Sequence, residues 1–521
     1  MATGTTDEIS TFKGQGGRLR ADRIGVAGLL MSVVAASAPL MVTTGGMPIT
    51  FGVLGVVGQP LLYVLLGVVL LLFSTGYAEM SRHVHNAGAF CAYIARGLGG
   101  TAGAASSVVA LVSYSSMQCC IYGLFGFELS GLLRKHLELT VSWWIPALLA
   151  AAVVGVLGWL KIDINVRVLG VLLLIEVVMV LAFDMAGIGS PGPEGVSPHA
   201  FDPATLSGPG LGTAFCGTVA SFVGFEQAAV YSEETSRPQV VVARVTYLAV
   251  VFVAVFFALS AWAISVAAGP GQVSALSLKE GPNLLFALTE DRLGGAFTEV
   301  MHVFYVTGMF AAMLSFHNVV ARYAFAMGRE GLLPAAVGRT SRASGAPAYG
   351  SLLQSAVALL VIGAFAVTDD RPAGDPTAPV LRLSTWLGNV SALGVIVLMT
   401  AASAAVIVFF VRRGAARAQG WRLAASGTAG LALSVIGVLT VRDFHLLVGS
   451  DAASPLRWLL PGIVGAALLA GLALGVALKI LRPEVHARIG QGNEAFQLAK
   501  ALAEKAGPGR GSAPGEPGNP A

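Results

Sequence analysis

The sequence predicts an all-α polytopic membrane protein of twelve transmembrane helices. Ten of them form a five-plus-five inverted repeat in which helices 1 and 6 are broken. Three observations carry that reading. The 521 residues are 55% hydrophobic and only 12% charged, with a mean hydropathy of +0.76, whereas a soluble domain carries about a quarter charged residues. Apolar runs long enough to cross about 30 Å of hydrocarbon recur along the chain. Two of these runs are interrupted at mid-span by glycine, proline or a carboxylate, the pattern of discontinuous helices meeting at a membrane midplane.

The same composition narrows the function classes. A net charge of +4 is small for this length and points to no nucleic-acid partner. Cys91, Cys119, Cys120 and Cys216 lie in apolar surroundings without ligand-like spacing and read as packing residues. No metal site and no cofactor is expected. The chain contains no H-E-x-x-H, G-x-S-x-G or P-loop pattern, so an enzyme is not expected either. The first 22 residues are polar and Gly-rich, without the apolar core of a signal peptide, and read as an uncleaved tail that stays inside.

Residues 24–78 carry no charge across 55 positions, too many for one span and enough for two. The division falls at 51–60, which holds Gly52, Gly55, Gly58 and Pro60. The first span is itself interrupted at Ala36-Ser37-Ala38-Pro39 and again at Gly45-Gly46-Met47-Pro48, because proline removes a helical donor and kinks the chain. The second span, 60–80, is smooth. Residues 82–96 are mildly amphipathic and predict an interfacial helix. Spans three, four and five are expected at 97–127, 139–160 and 167–186, the last with Glu176 near its middle. A connector over 187–210 holds five prolines and no Lys or Arg. The broken sixth span follows, then span seven within 245–278 and a second interfacial stretch over 279–292. Spans eight to twelve are expected near 296–327, 349–367, 384–411, 423–441 and 458–478, and the tail after Arg482 ends in GPGRGSAPGEPGNPA, which is compositionally disordered.

Orientation follows from the basic residues. With the N-terminus inside, 24 of the 32 Lys and Arg fall in cytoplasmic segments and 8 outside. The expected organisation is a cytoplasmic tail over 1–22, a first repeat over 23–187, an extracellular connector over 188–210 and a second repeat over 211–411. A pair of helices over 412–481 and a cytoplasmic tail over 482–521 complete it. Both termini are thus expected in the cytoplasm of a multi-pass protein of the cell membrane. Each repeat begins with a broken helix, has an amphipathic stretch after its second helix and has a long third helix. An odd number of helices per repeat inverts the second relative to the first.

The stretch 211–238, LGTAFCGTVASFVGFEQAAVYSEETSRP, organises the rest. It opens as a span, since 203–225 is uncharged for 23 residues, and then places Glu226 directly after Gly224 and Phe225. A carboxylate at bilayer depth is costly and is read as functional by default. Glycine beside it permits backbone that leaves the helix.

Three segments carry a resemblance. FVGFEQAAVYSEETSRP (222–238) is similar to the F-x-G-[FY]-[DE]…E-x-x-x-P signature of the amino acid–polyamine–organocation (APC) permeases. NAGAFCAYIARGLG (86–99) resembles that family's Gly-Gly-x-Tyr-x-Tyr region. SFHNVVARYAFAMGREGLLPAAVGR (315–339) resembles its R-x-x-x-x-[ML]-[GA]-R-[ED]-G-x-[LI]-P span-eight end. The resemblance covers residues 20–480. It implies a leucine-transporter-like fold and a secondary transporter of an amino acid or related amine, coupled to protons, with sodium as the alternative ion. An exchanger or facilitator without proton coupling is the first alternative, and a channel or transport-fold sensor the second. The other partner is the bilayer, and a homodimer is left open. One departure stands out: many members have G-[STA]-G at the span-one break, where this chain reads Ala36-Ser37-Ala38-Pro39.

The expected substrate site is built from backbone at Ala36, Ser37, Ala38 and Pro39 and at Ser221, Phe222, Val223, Gly224 and Phe225. Tyr114 and Gln118, four apart on one face of span three, line it or simply pack. Glu226 and Glu176 are the candidates for gating and proton coupling. The bland reading of Glu226 is an acceptor for a freed backbone N–H, and that of Glu176 a helix–helix hydrogen bond. Phe222 and Phe225 either gate or pack. His302 and His317 read as helix-packing donors, and Glu233 and Glu234 as an inner-surface cluster near Arg237.

Overall fold

A computed structural model describes residues 24–84, 86–159, 162–206, 210–341, 344–368, 379–415 and 417–492. The expected N-terminal tail and the end of the C-terminal tail lie outside the described residues. Among those described there is no strand, only one isolated bridge between Ile24 and Thr235. The molecule is a bundle of helices, as the composition predicts.

Helix α1 (Val26–Ala35) stops at the first expected break, and the chain restarts at Pro39 and runs on through two π-helical turns, Val42–Gly46 and Ile49–Val53. There follow α2 (Gln59–Ser81), α3 (Phe90–Leu98), α4 (Gly100–Leu137), α5 (Trp144–Gly158) and α6 (Ile162–Gly189). The second half holds α7 (Leu211–Phe222), α8 (Pro238–Ala268), α9 (Val273–Glu280), α10 (Leu284–Leu293) and α11 (Gly295–Glu330). The chain then forms α12 (Ala348–Val367), α13 (Thr385–Arg412), α14 (Gly420–Arg442) and α15 (Leu456–Leu481). Among the described residues, ten helical segments are long and apolar enough to cross a membrane, the broken Val26–Gly46 counted as one. The other two expected spans are shorter helices: α5 has 15 residues, and α7 has 12 before the chain breaks.

Apolar side chains face outward along the bundle in a way water would not tolerate. Leu149, Val156, Leu174, Leu360, Leu431 and Leu469 are each 58% exposed or more. An exposed apolar surface of that extent fits lipid. The interior is packed instead by α2 on α8, α4 on α11, α13 and α15, and α13 on α14.

Three expectations need correcting. The amphipathic stretch over 82–96 is not interfacial: only Phe90–Leu98 is helical, and its Phe90, Tyr93 and Ile94 are buried. Its apolar face packs against α4 and α13 rather than against lipid headgroups. Span three runs on to Leu137, ten residues past the expected end at 127. Its last turn carries Arg134, Lys135 and His136, cations that favour a helix C-terminus. Span seven begins at Pro238, not Val245, with proline at the first helical turn where its missing N–H costs nothing.

Candidate functional site

The first break is made by the backbone itself. Ser37 N–H donates to Val34 O (2.9 Å) and Ala38 N–H to Ala35 O (3.2 Å), which tightens the last turn of α1. Ala38 then adopts φ 42°, left-handed geometry that an alanine resists, and Pro39 restarts the helix in a new direction. The Ser37 hydroxyl donates to Val34 O (2.7 Å) and is engaged locally. Leu40 N–H, the first free donor after the break, points at another helix: it donates to Glu176 Oε2 of α6 at 3.2 Å.

The second break follows α7. Val223 and Gly224 form a turn in which Gly224 takes φ 129°, and a short 3-10 turn over Phe225–Ala229 follows. Glu226 curls back over this corner. Its Oε2 accepts from Gly224 N–H (3.0 Å), its Oε1 accepts from the Tyr114 hydroxyl, and its carbonyl accepts from the Tyr77 hydroxyl (3.1 Å). The two breaks touch: a Cβ on Gly224 would stand 2.7 Å from Ala36 Cβ and 3.3 Å from Val33 O. Only glycine fits there, both in conformation and in space.

Around this junction lies an aromatic wall. Tyr114 stacks on Tyr323 (5.3 Å between centroids), Tyr77 packs on Phe90 and Tyr93, and Phe225 meets Phe73 edge-on at 6.0 Å. Gln227, fully buried, accepts from Ser315 Oγ (3.4 Å), while its Nε2 has no acceptor.

The expected residues therefore divide. Ala36, Ser37, Ala38, Pro39, Gly224, Phe225, Glu226 and Tyr114 meet at or beside the junction. Ser221 and Phe222 face away from it, toward Tyr63: the Ser221 and Tyr63 hydroxyls are 3.2 Å apart, and the Phe222 and Tyr63 rings 6.2 Å. Gln118 belongs to a second polar network between α4, α11 and α12. It accepts from Gln354 Nε2 (2.6 Å), donates to the Tyr122 hydroxyl (3.0 Å), and lies 3.3 Å from His317 Nδ1. His317 Nε2 is 2.7 Å from Ser351 Oγ. Glu176 is buried beside Gly308 of α11, where any Cβ would overlap its carboxyl group.

Glu233 and Glu234 are not an exposed cluster, and neither pairs with Arg237. Glu234 is 3% exposed and receives a forked pair of bonds from Arg322, Nε to Oε2 at 2.6 Å and Nη2 to Oε1 at 3.0 Å. Arg322 also donates to Asn318 O (2.8 Å) and lies over the Tyr231 ring. Glu233 is paired with Arg329 (2.5 Å) and accepts from Ala87 N–H (3.1 Å). Ile24 N–H donates to Glu234 O (3.2 Å), so the start of the described chain is tied to the same place. The sequence held one signal for this: Arg322 lies inside an apolar run, and an arginine there demands a carboxylate.

Sequence reasoning also passed over Tyr77, Tyr323, Gln227 and Asp184. Asp184, on α6, is buried and accepts from Ser260 Oγ of α8 (2.8 Å). Tyr77 and Asp184 lie outside the motif segments, and Gln227 and Tyr323 fall at unspecified positions within them, so only folding brings the four to notice. Among the described residues, no group of three His, Cys, Asp or Glu is placed to hold a metal ion.

Comparison with known proteins follows the geometry. The family model described as "Amino acid permease" matches residues 24–468. No curated protein matches the chain. A crystal structure of a manganese transporter of Eremococcus coleocola, in complex with an aromatic bis-isothiourea substituted compound, is similar with a TM-score of 0.56 and 13% identity. That match covers 88% of this chain and 97% of that one. A mutant of the Eremococcus coleocola manganese transporter gives a TM-score of 0.54 at 13% identity, over 89% and 97% of the two chains. At such identity the likeness is one of fold.

Proposed function

The chain belongs to the amino acid permease family, within the APC superfamily, and on that premise we propose that it is a secondary active transporter of an amino acid or related amine. It works by alternating access, with the two broken helices as the site and a proton as the coupling ion. The single observation that supports this reading best is the contact of Gly224 with Ala36, roofed by the buried carboxylate of Glu226. Irregular backbone at membrane depth persists only where protein or a cavity satisfies it, and here both breaks carry a carboxylate that can take up a proton. The groups facing Glu226 are the tyrosines Tyr77, Tyr114 and Tyr323, so no fixed charge competes for that proton. The five-plus-five repeat, the cytoplasmic termini and the domain limits given above are part of the same proposal. Manganese is the cargo named for the structural neighbours, and among the described residues of this chain no group of three His, Cys, Asp or Glu is placed to hold a metal ion.

Uptake into proteoliposomes tests the coupling. Glu226→Gln is expected to retain substrate binding and to lose most of the pH dependence of transport. Glu176→Gln is expected to weaken accumulation against a gradient more than exchange. If both variants keep the wild-type pH profile and accumulation, the two carboxylates are structural hydrogen-bond acceptors and the protein is a facilitator or exchanger.

Orientation is tested separately. A tag beside Val196, which is 54% exposed in the connector, is expected to react with an impermeant reagent added outside cells. A tag at Gly414, between α13 and α14, is expected to react only after permeabilisation. The opposite pattern reverses the inner and outer faces.

A further inference from the structure

Arg322 and Arg329 each have a carboxylate of their own, Glu234 and Glu233. One corner at the end assigned to the cytoplasm is built differently. Arg82, which closes α2, and Arg422, in the first turn of α14, both turn to a single oxygen, Glu79 Oε2, at 3.4 and 2.9 Å. The two guanidinium groups therefore stand together and share one negative charge. His83, next to Arg82, meets the Phe409 ring edge-on at 6.0 Å, and the Arg413 guanidinium lies over that ring at 4.1 Å. Tyr247 of α8 stands in the electric field of Arg82, Arg422 and Glu79, and Arg244 is exposed one turn before it. The connector 412–422 adds four arginines and no Asp or Glu. Among the described residues, Glu79 is the only carboxylate paired with any of these arginines.

The rule that basic residues stay inside accounts for arginine in such a connector. It does not ask that arginines from separate parts of the chain converge, an arrangement that repels itself unless an anion lies among them. Glu79 does not saturate them either. Arg82 and Arg422 each face it through Nη1, and Arg422 Nη1 also donates to Gln419 Oε1 (2.6 Å). Their Nε and Nη2 groups make no bond among the described residues. A guanidinium carries five N–H donors in a planar fork, and the fork matches the oxygens of a phosphate.

Towards the bilayer the same corner turns apolar. Helix α2 packs on both α8 and α14, closing on α8 where Gly67 meets Ala254 and on α14 where Gly76 meets Ser426. Leu248, Val251 and Val255 follow Arg244 along one exposed face of α8, and Leu431, Val435 and Val438 share an exposed face of α14. Trp421, beside Arg422, is 64% exposed, as suits a ring at the level of the headgroups. We propose that this corner binds an anionic phospholipid of the cytoplasmic leaflet. Its phosphate lies against the open edges of Arg82 and Arg422, and its acyl chains run along the outward faces of α8 and α14. Charge complementarity at one end and apolar surface at the other select this occupant. The proposal stands apart from the transport reading.

The test uses the full-length protein in neutral detergent, titrated with phosphatidylglycerol or phosphatidylcholine brominated on acyl carbons close to the headgroup, since bromine quenches tryptophan only at short range. The fluorescence lost in Trp421→Phe isolates the signal of this corner, and so exposed a side chain can be replaced without loss of packing. That component is expected to be quenched by phosphatidylglycerol at a tenfold lower lipid-to-detergent ratio than by phosphatidylcholine. Raised salt is expected to narrow the gap, because the attraction is between exposed charges. Arg82→Gln with Arg422→Gln is expected to raise the ratio needed for phosphatidylglycerol at least fivefold, and Lys135→Gln, at the opposite end of the bundle, to leave it unchanged. Equal quenching by the two lipids overturns the proposal and leaves the arginines a role in topology alone. Displacement of the bound lipid by equimolar inorganic phosphate also overturns it, since the corner would then be a site for free anions. The wild-type comparison of the two lipids decides the matter even if the double variant does not fold.

Discussion

Gly224→Ala is expected to lower uptake at least tenfold, while Gly217→Ala on the same helix leaves it near wild type. At Gly217 an added Cβ meets nothing within 4 Å. At Gly224 it would stand 2.7 Å from Ala36 Cβ on a backbone with φ 129°. The conformation costs a side-chain-bearing residue roughly 1–3 kcal/mol, and overpacking the contact costs about 1–3 kcal/mol more. Relief requires the two breaks to separate, which opens the close contact between Gly224 and Ala36. Because each factor of ten corresponds to about 1.4 kcal/mol, even the lower bound affects transport if the breaks must meet during the cycle. Initial rates normalised to monodisperse protein check this. Normal rates for Gly224→Ala would place the transport path elsewhere in the bundle.

Much of this junction was legible in the sequence, for a physical reason. A membrane span is written in consecutive residues, so interruptions such as Ala36–Pro39 and Gly224–Glu226 stand out against an apolar background. What the sequence did not disclose depends on residues far apart in the chain. Tyr114 and Gln118 share a helix face, yet one reaches Glu226 and the other Gln354, because α4 leans on different neighbours over a single turn. The Phe90–Leu98 helix has an interfacial pattern and is nevertheless buried, since amphipathicity does not say whether the polar side meets water or protein. Arg322 was counted among the basic residues that set orientation; its burial against Glu234 emerges only when the segment after the sixth break is brought to α11.

That pair carries the other large expected effect. Arg322 and Glu234 side chains are each 3% exposed, and the bonding is a planar fork that lysine cannot reproduce. Removing one member of a buried pair strands the other charge, at a cost of about 3–5 kcal/mol. Lys135 and Glu299 also form an ion pair, but their side chains are 55% and 39% exposed, and such pairs contribute at most about 1 kcal/mol. Arg322→Gln is therefore expected to lower the thermal midpoint in detergent well below that of Lys135→Gln. The double change Arg322→Leu with Glu234→Leu is expected to recover much of the loss, because it removes both charges together. Transport should not recover with it. Through Glu234 O and Ile24 N–H the pair ties the start of α1 to the segment after the sixth break, at the end assigned to the cytoplasm. An apolar contact there would hold the bundle together without the directional bonds that let this end close in one geometry. If the double variant melted like Arg322→Gln, the loss would come from packing rather than from a stranded charge. If it transported like the wild type, the fork would not be part of the gate.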